Sequence, residues 1–281
     1  MDGKMGITMN YSLKLEQAPI PDWVPEGGSR RVRQDMWRLC AELLYEIVTS
    51  GRSLTREITL NYLKKRLPYD PSQKQLKNNW KNMENKCNRA IDILFRLGLI
   101  AKISTPYFLS KFSYVMVYLT PKGQDYCLAC GWPAVVSDWE ILAKLHQAED
   151  QKKHAMAILV FAMHARYRGW EVKLVPNATE GETFFSSTYS PDLVITQGEV
   201  RMYVEVETRK SQKKTVKWVR NMQAQRYVAV CAMTPRRRLT LEKEVQKLHI
   251  RCHSTDLKHL NLGLIQNILA PGDLWVSIFL P

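Results

Sequence analysis

The chain has 281 residues, of which 45% are hydrophobic and 24% are charged, a composition typical of about two packed domains. These proportions exclude wholesale disorder and a fibrous protein, and six cysteines are too few for a disulfide scaffold in a chain of this length. The sequence has no run of about 20 apolar residues and no apolar N-terminal segment, so we expect a cytoplasmic protein without a membrane partner.

The formal net charge of +14 is concentrated in two parts of the sequence. Residues 61–102 contain ten Lys and Arg against three acidic residues, and residues 199–251 contain 14 against five. Two separate basic surfaces are typical of a protein that binds a polyanion, most commonly the phosphate backbone of a nucleic acid. Charged helix faces that only keep the protein soluble are the alternative interpretation.

The first 33 residues lack hydrophobic periodicity and contain several prolines and glycines, which indicates an arm with little structure of its own. From Gln34 onward, apolar residues recur at intervals of three and four, which predicts a helix that ends before Gly51. A second helix is predicted from about Thr55 to Leu67 because Pro68 follows it.

The third predicted helix has the clearest pattern. Ser72 and Gln75 have the spacing of a capping box, and an apolar stripe then continues from Leu76 to Leu97. The opposite face is rich in Asn, Lys and Arg, although Asn is a poor helix former. Since these side chains reach bases and phosphates in a major groove, we predict a DNA-binding face. Its residues are Lys77, Asn78, Lys81, Asn82, Asn85, Lys86 and Arg89.

Alternating apolar and polar residues from Pro106 to Thr120 predict a hairpin of two strands, and Lys111 is a further predicted DNA contact. Three helices followed by a hairpin resemble a winged-helix domain, and the segment Thr120-Pro121-Lys122-Gly123 resembles the strand-to-helix exit of that family. The resemblance covers about residues 34–131. We therefore predict a winged-helix domain of the α+β class over residues 34–133. It implies DNA binding, and docking of a protein is the alternative.

The second half of the chain predicts a separate α/β domain over residues 137–281. Ser137 and Glu140 have capping-box spacing at the start of a long helix that extends to Arg168, with a break near Gln151. Strands predicted at 171–175, 191–196, 201–207 and 227–232 alternate with helices predicted at 214–225 and 241–248. We therefore expect a mixed sheet flanked by helices.

Three acidic residues are predicted to converge at adjacent strand ends. Asp192 opens one strand, and Glu205 and Glu207 lie on one face at the end of the next strand, since side chains alternate along a strand. A cluster of acidic residues is electrostatically unfavourable because the carboxylates repel one another, even inside a strongly basic segment, unless a cation lies among them. Mg²⁺ or Mn²⁺ among these three carboxylates fits this chemistry.

This order of elements and acidic motifs resembles the PD-(D/E)xK, or restriction-endonuclease-like, nuclease superfamily. The resemblance implies that Asp192 and Glu205 hold the metal, and that a third group, usually Lys, positions or deprotonates the attacking water. In this sequence Glu207 stands where that Lys is expected. The alternatives for the third group are Lys217 and Lys214 on the following helix, and the matching acid on the first helix is Glu149 or Asp150.

A winged helix ahead of such a domain, with His146 early in the core helix, is similar to the plasmid and phage replication-relaxation proteins. We therefore expect a metal-dependent endonuclease or nickase that acts on DNA of a mobile element. The alternatives are a non-catalytic replication or transcription factor on the same fold and a subunit of a larger nucleoprotein complex. The protein could also form a homodimer.

A basic turn follows Pro235. Its residues Arg236, Arg237 and Arg238 are a predicted phosphate contact, and a solvated loop is the alternative.

Cys127 and Cys130 have the spacing of half a zinc site, which Cys252 and His253 could complete. Buried thiols are the simpler interpretation, because free cysteine behaves as a small hydrophobic residue.

Overall fold

The computed structural model describes residues 30–68, 70, 72–109, 112–133, 135–146, 151–174, 191–208, 227–249, 251–266 and 272–279. In this part of the chain the fold is mixed α/β, as predicted, with eight helices, a two-stranded antiparallel sheet and a mixed six-stranded sheet. The described residues up to Ile103 form one compact unit with Val115–Ser137. Those from Asp138 onward form a second unit with Ser104–Tyr114.

From residue 30 onward, the described part of the N-terminal half contains four helices and a hairpin. In chain order these are α1 (Arg30–Ser50), α2 (Thr55–Arg66), α3 (Lys74–Arg96), β1 (Ile100–Leu109), β2 (Phe112–Leu119) and α4 (Pro121–Ala129). The helix α1 begins before the predicted Gln34, and β1 begins before the predicted Pro106. The outer part of the hairpin is grouped with the second unit, a division that the predicted boundary at residues 133–137 did not include.

The predicted capping box at the start of α3 is wrong. The N-cap residue is Gln73, and it makes no side-chain capping bond. Asp70 organises this turn instead: its Oδ1 accepts hydrogen bonds from the backbone N (2.9 Å) and the hydroxyl (2.6 Å) of Ser72, and its Oδ2 accepts one from Gln73 Nε2 (2.8 Å). A carboxylate binds the Ser72 hydroxyl locally and so withdraws it from the helix end.

The core of the first unit lies between α1 and α3. Each helix buries an apolar stripe, which includes Trp37, Cys40, Leu43, Leu44 and Ile47 on α1 and Cys87, Ala90, Ile91 and Leu94 on α3. A single antiparallel bridge joins Leu54, which follows α1, to Met116 of β2. The backbone N of Val117 also donates to the Ser53 carbonyl (2.7 Å), so the residues after α1 extend the small sheet.

The segment Thr120–Gly123 joins β2 to α4 through local chemistry. The Thr120 side chain caps α4 by accepting from the backbone N of Gly123 (3.1 Å), and Pro121 occupies the first turn, where its missing N–H costs nothing. A Cβ at Gly123 would lie 1.9 Å from the Leu99 carbonyl oxygen. Only glycine allows the helix to approach the start of β1 this closely.

The second unit is built on the six-stranded sheet. Its elements are α5 (Asp138–His146), α6 (Lys152–Tyr167), β3 (Glu171–Leu174), β4 (Leu193–Gln197), β5 (Val200–Glu207), β6 (Tyr227–Ala232), α7 (Pro235–Gln246), β7 (Arg251–Asp256), α8 (Leu257–Gln266) and β8 (Ser277–Phe279). The strands are ordered β3-β4-β5-β6-β7-β8. The pairs β5–β6 and β6–β7 are parallel, and the other three pairs are antiparallel.

The helix α6 is buried along most of its length. Every residue from Ala155 to Ala165 is buried, and the helix packs against β3, β4 and β5. On α7, Leu241 and Val245 cover the sheet face that carries Val194 and Val230. No helix in the described ranges is long and apolar enough to cross a membrane. The predicted break near Gln151 and the predicted helix at 214–225 involve residues 147–150 and 209–226, which lie outside the description.

Candidate functional site

One face of α3 is polar and exposed. All seven residues predicted to bind DNA from this helix are exposed, and Asn88 joins them. They step along the helix by threes and fours, whereas Trp80, Cys87, Ala90 and Leu94 are buried on the other side. The helix is therefore held by its apolar stripe, and the first unit presents a continuous surface of amide and cationic groups.

The cations of this surface are not neutralised by neighbouring acids. Among the described residues, the side chains of Lys77, Lys81, Lys86 and Arg89 form no ion pair or hydrogen bond. On α2, by contrast, Lys65 pairs with Glu46 (2.7 Å) and Arg66 pairs with Glu42 (3.2 Å). The positive charge of α3 consequently acts on the solvent side, where it attracts a polyanion.

The pairing of β4 with β5 brings two of the predicted acidic residues together. Leu193 pairs with Val204 in an antiparallel register, so continuing that register by one residue places Asp192 opposite Glu205. Glu205 is half-buried, and Glu207 is buried with 9% exposure. Glu207 of β5 is level with Ala232 of the neighbouring strand β6. Ala232 is in turn level with Asp256 of β7.

Asp192 is buried, with 3% exposure, and both of its oxygens contact protein donors. Its Oδ2 accepts a hydrogen bond from the backbone N of Val206 (2.7 Å), which ties the start of β4 to the end of β5. Its Oδ1 lies 3.1 Å from Nε2 of His154, in the first turn of α6. These contacts hold the carboxylate in one position at the edge of the β4–β5 pair.

His154 is a site residue that the sequence did not single out. Histidines occur at positions 146, 154 and 164 of the predicted long helix, without the spacing of a paired ligand set, so the residue pattern alone does not distinguish His154 from the other two. The available signal was position, because the first turn of α6 is the place where Glu149 and Asp150 were expected to approach Asp192. Those two acids lie outside the described residues, and so do Lys111, Lys214 and Lys217.

The buried Cys231, near the end of β6, is influenced by the charges of two carboxylates. Burial raises the pKa of the Cys231 thiol well above its usual value, and the charges of Asp256 and Asp192 raise it further. The thiol is therefore neutral at physiological pH, and the two carboxylates that act on it belong to Asp192, just before β4, and Asp256, at the end of β7. Within the described ranges, no group of three or more His, Cys, Asp or Glu side chains is placed to hold a metal ion.

The prediction that Arg236, Arg237 and Arg238 form a turn between elements is wrong, because Pro235 begins α7 and the three arginines lie in its first turn. They differ in exposure. Arg236 is exposed, whereas Arg237 is half-buried and lies 3.7 Å from Glu244. Arg238 donates to Glu242 (2.6 Å) and to Asp256 (3.1 Å). Asp256 is almost fully buried, and its other oxygen accepts from the backbone N of His259 (2.9 Å). Arg238 therefore stabilises buried carboxylates, and of the three it has the least capacity to contact a phosphate.

Comparison with protein-family models, with curated proteins and with solved structures gives no match.

Replacing Arg238 with Ala should destabilise the second unit by about 3–5 kcal/mol, because it leaves Glu242 and Asp256 as buried carboxylates without their cation. Replacing the exposed Arg236 with Ala should change stability by no more than about 0.5 kcal/mol. Chemical denaturation of the two variants provides the comparison. Equal stability of the two would contradict the structural role assigned to Arg238.

Proposed function

We propose that this protein binds duplex DNA through the exposed face of α3 and hydrolyses a phosphodiester at the end of the β4–β5 pair. The observation that carries the proposal is the α3 face, where Lys77, Lys81, Lys86 and Arg89 are exposed and without partners among the described residues. An exposed helix with Asn, Lys and Arg on one side has the size and chemistry to enter a major groove.

The order of elements in the first half supports a winged-helix domain. Three helices precede a hairpin, and the Leu54–Met116 bridge adds a short third strand between α1 and α2. In this arrangement α3 is the helix that would read the groove.

The topology of the second unit supports the restriction-endonuclease-like fold. A core helix, α6, is followed by three strands in antiparallel succession, β3, β4 and β5, and then by β6 parallel to β5. The location of Asp192 immediately before β4 and of Glu205 near the end of β5 also supports this proposal.

The donor set at these positions fits a hard divalent cation such as Mg²⁺ or Mn²⁺. Asp192 and Glu205 supply carboxylate oxygens, the ligands that such ions prefer. A carboxylate has about four acceptor sites, so the contacts from Val206 N and His154 do not by themselves prevent Asp192 from ligating a cation. When bound by Asp192 and Glu205, the ion would supply charge stabilisation of the phosphate and a more acidic water.

The residues of the chain would do the remaining work. Val206 N and His154 fix the Asp192 carboxylate, and Glu207, on the same face as Glu205, would orient the attacking water. Arg236 is the arginine of its turn best placed to contact phosphate. By resemblance to the plasmid and phage replication-relaxation proteins, we propose DNA of a mobile element as the substrate.

A second candidate function is a non-catalytic DNA-binding factor, alone, as a homodimer or within a nucleoprotein complex. Two observations favour it. Both oxygens of Asp192 contact protein donors, and Glu207 replaces the lysine that the nuclease superfamily usually carries. In that case the same carboxylate only stabilises the sheet.

Cleavage of supercoiled plasmid separates these two functions. We expect nicking or linearisation that requires Mg²⁺ or Mn²⁺, and a loss of about 100-fold or more in Asp192→Asn, since loss of a ligand should equal or exceed the usual 10–100-fold cost of an outer-shell change. The asparagine keeps an acceptor for Val206 N and should leave DNA affinity intact.

Glu199→Gln is the matched control for this experiment, because Glu199 is an exposed acid on the same hairpin, at the opposite end of β5. It should cleave like the wild type. An absence of cleavage by the wild-type protein, with tight and salt-sensitive DNA binding retained, would favour the non-catalytic factor.

The α3 surface is tested by a pair of variants matched in charge. Lys81→Ala with Arg89→Ala should weaken DNA binding and make the slope of log affinity against log salt less negative by about 2, because each lost phosphate contact removes about 0.9. Fluorescence anisotropy with a labelled duplex at several salt concentrations measures both quantities.

The control is Lys65→Ala with Arg66→Ala, which removes one Lys and one Arg that already pair with acids of α1. Its slope should remain close to that of the wild type. A binding affinity that responds equally to both pairs would show that net charge, not the α3 surface, determines binding.

A further inference from the structure

The α3 surface contains more asparagine than a solvated helix face requires. Asn78, Asn82, Asn85 and Asn88 are exposed and alternate with Lys81 and Arg89. In the described part of the chain the side chains of the first three make no hydrogen bond. Asn79 is also exposed but differs from them, because it lies about 100° around the helix from Asn78 and accepts a hydrogen bond from Gln75 Nε2 (3.1 Å).

These asparagines do not contribute to folding. Asparagine lowers helix stability relative to alanine, lysine or glutamine, and here it neither caps the helix nor packs in the core. Several residues of low helix propensity on the exposed side of one helix therefore require another explanation. Binding of their side-chain amides to a partner outside the chain provides one.

We propose that Asn78, Asn82 and Asn85 read adenine bases in the major groove, so that the DNA target is a sequence with adenines clustered in one short window. This inference rests on the proposed DNA binding and adds the identity of the bases. An Asn amide donates its NH₂ to adenine N7 and accepts from adenine N6 through Oδ1, a pair of bonds that other bases do not offer. Lys and Arg on the same stripe supply phosphate contacts.

The spacing of the three residues fits one groove segment. Seven residue steps of helix separate Asn78 from Asn85, a rise of roughly 10 Å at 1.5 Å per residue. That length corresponds to about three base-pair steps of 3.4 Å. The adenines should therefore lie within about four consecutive base pairs.

The test begins with the full chain and a pool of duplexes that contain a randomised core. Repeated selection should enrich adenines within one such window. In the selected duplex, replacing one contacted adenine with 7-deazaadenine removes the N7 acceptor without changing the base pair. Wild-type affinity should then fall about tenfold, the size expected for a bidentate base contact. Asn85→Ala or Asn82→Ala should abolish the response at one position each.

Asn79→Ala is the matched control, since it changes the same side chain on the same helix outside the stripe. It should retain the full response to 7-deazaadenine. The variants at 82 and 85 should also raise Tm by about 2 °C or more, because alanine is the better helix former, so that loss of discrimination cannot be assigned to unfolding.

Selection without adenine enrichment, or a wild-type affinity that is indifferent to 7-deazaadenine, would overturn the inference. If Lys81→Ala with Arg89→Ala still weakened binding in that case, the proposed DNA binding would stand and only the base assignment would fail. Failure to bind any duplex of the pool would overturn both.

Discussion

The amphipathic helix α3 is the element on which the first unit depends. Its apolar stripe packs against α1, and that packing fixes which side chains are left outside. Because the two faces belong to one rigid helix, the burial of Cys87 and Leu94 determines the position of Lys81 and Asn85. The hydrophobic effect that folds this unit therefore also forms its candidate binding surface, and no separate loop is needed to present it.

The second unit uses buried polar contacts in a similar way. The bond from Val206 N to Asp192 ends the β4–β5 ladder, and the contact with His154 joins that ladder to the core helix α6. At the neighbouring edge, Arg238 joins α7 to Asp256 at the end of β7. Each contact satisfies a buried carboxylate, as burial of charge requires. The same contacts of Asp192 would serve either a catalytic or a structural role. Only a measurement of DNA cleavage distinguishes the two roles.

Residue patterns predicted the elements that have strong periodicity or alternation. The helices α2 and α3 and the strands β4 to β6 lie close to their predicted positions, because each buries a regular apolar pattern. The strand β7 was not predicted, since Arg251–Asp256 is mostly polar and does not alternate. It is buried because β6 and β8 pair with it, and because Ser254 and Asp256 find partners on α7 that are distant in sequence. Contacts of this kind depend on tertiary structure and leave no local signal, and for His154 the order of elements was the one available signal.

The most direct test of the account is to place a photo-crosslinking amino acid on α3 and irradiate the full chain with a duplex. Asn82 lies in the proposed groove-binding stripe, and Leu128, with 65% exposure, lies on the outer side of α4. We expect an efficient crosslink to DNA bases from position 82 and little or none from position 128. A crosslink from position 128 without one from position 82 would show that the DNA is bound elsewhere.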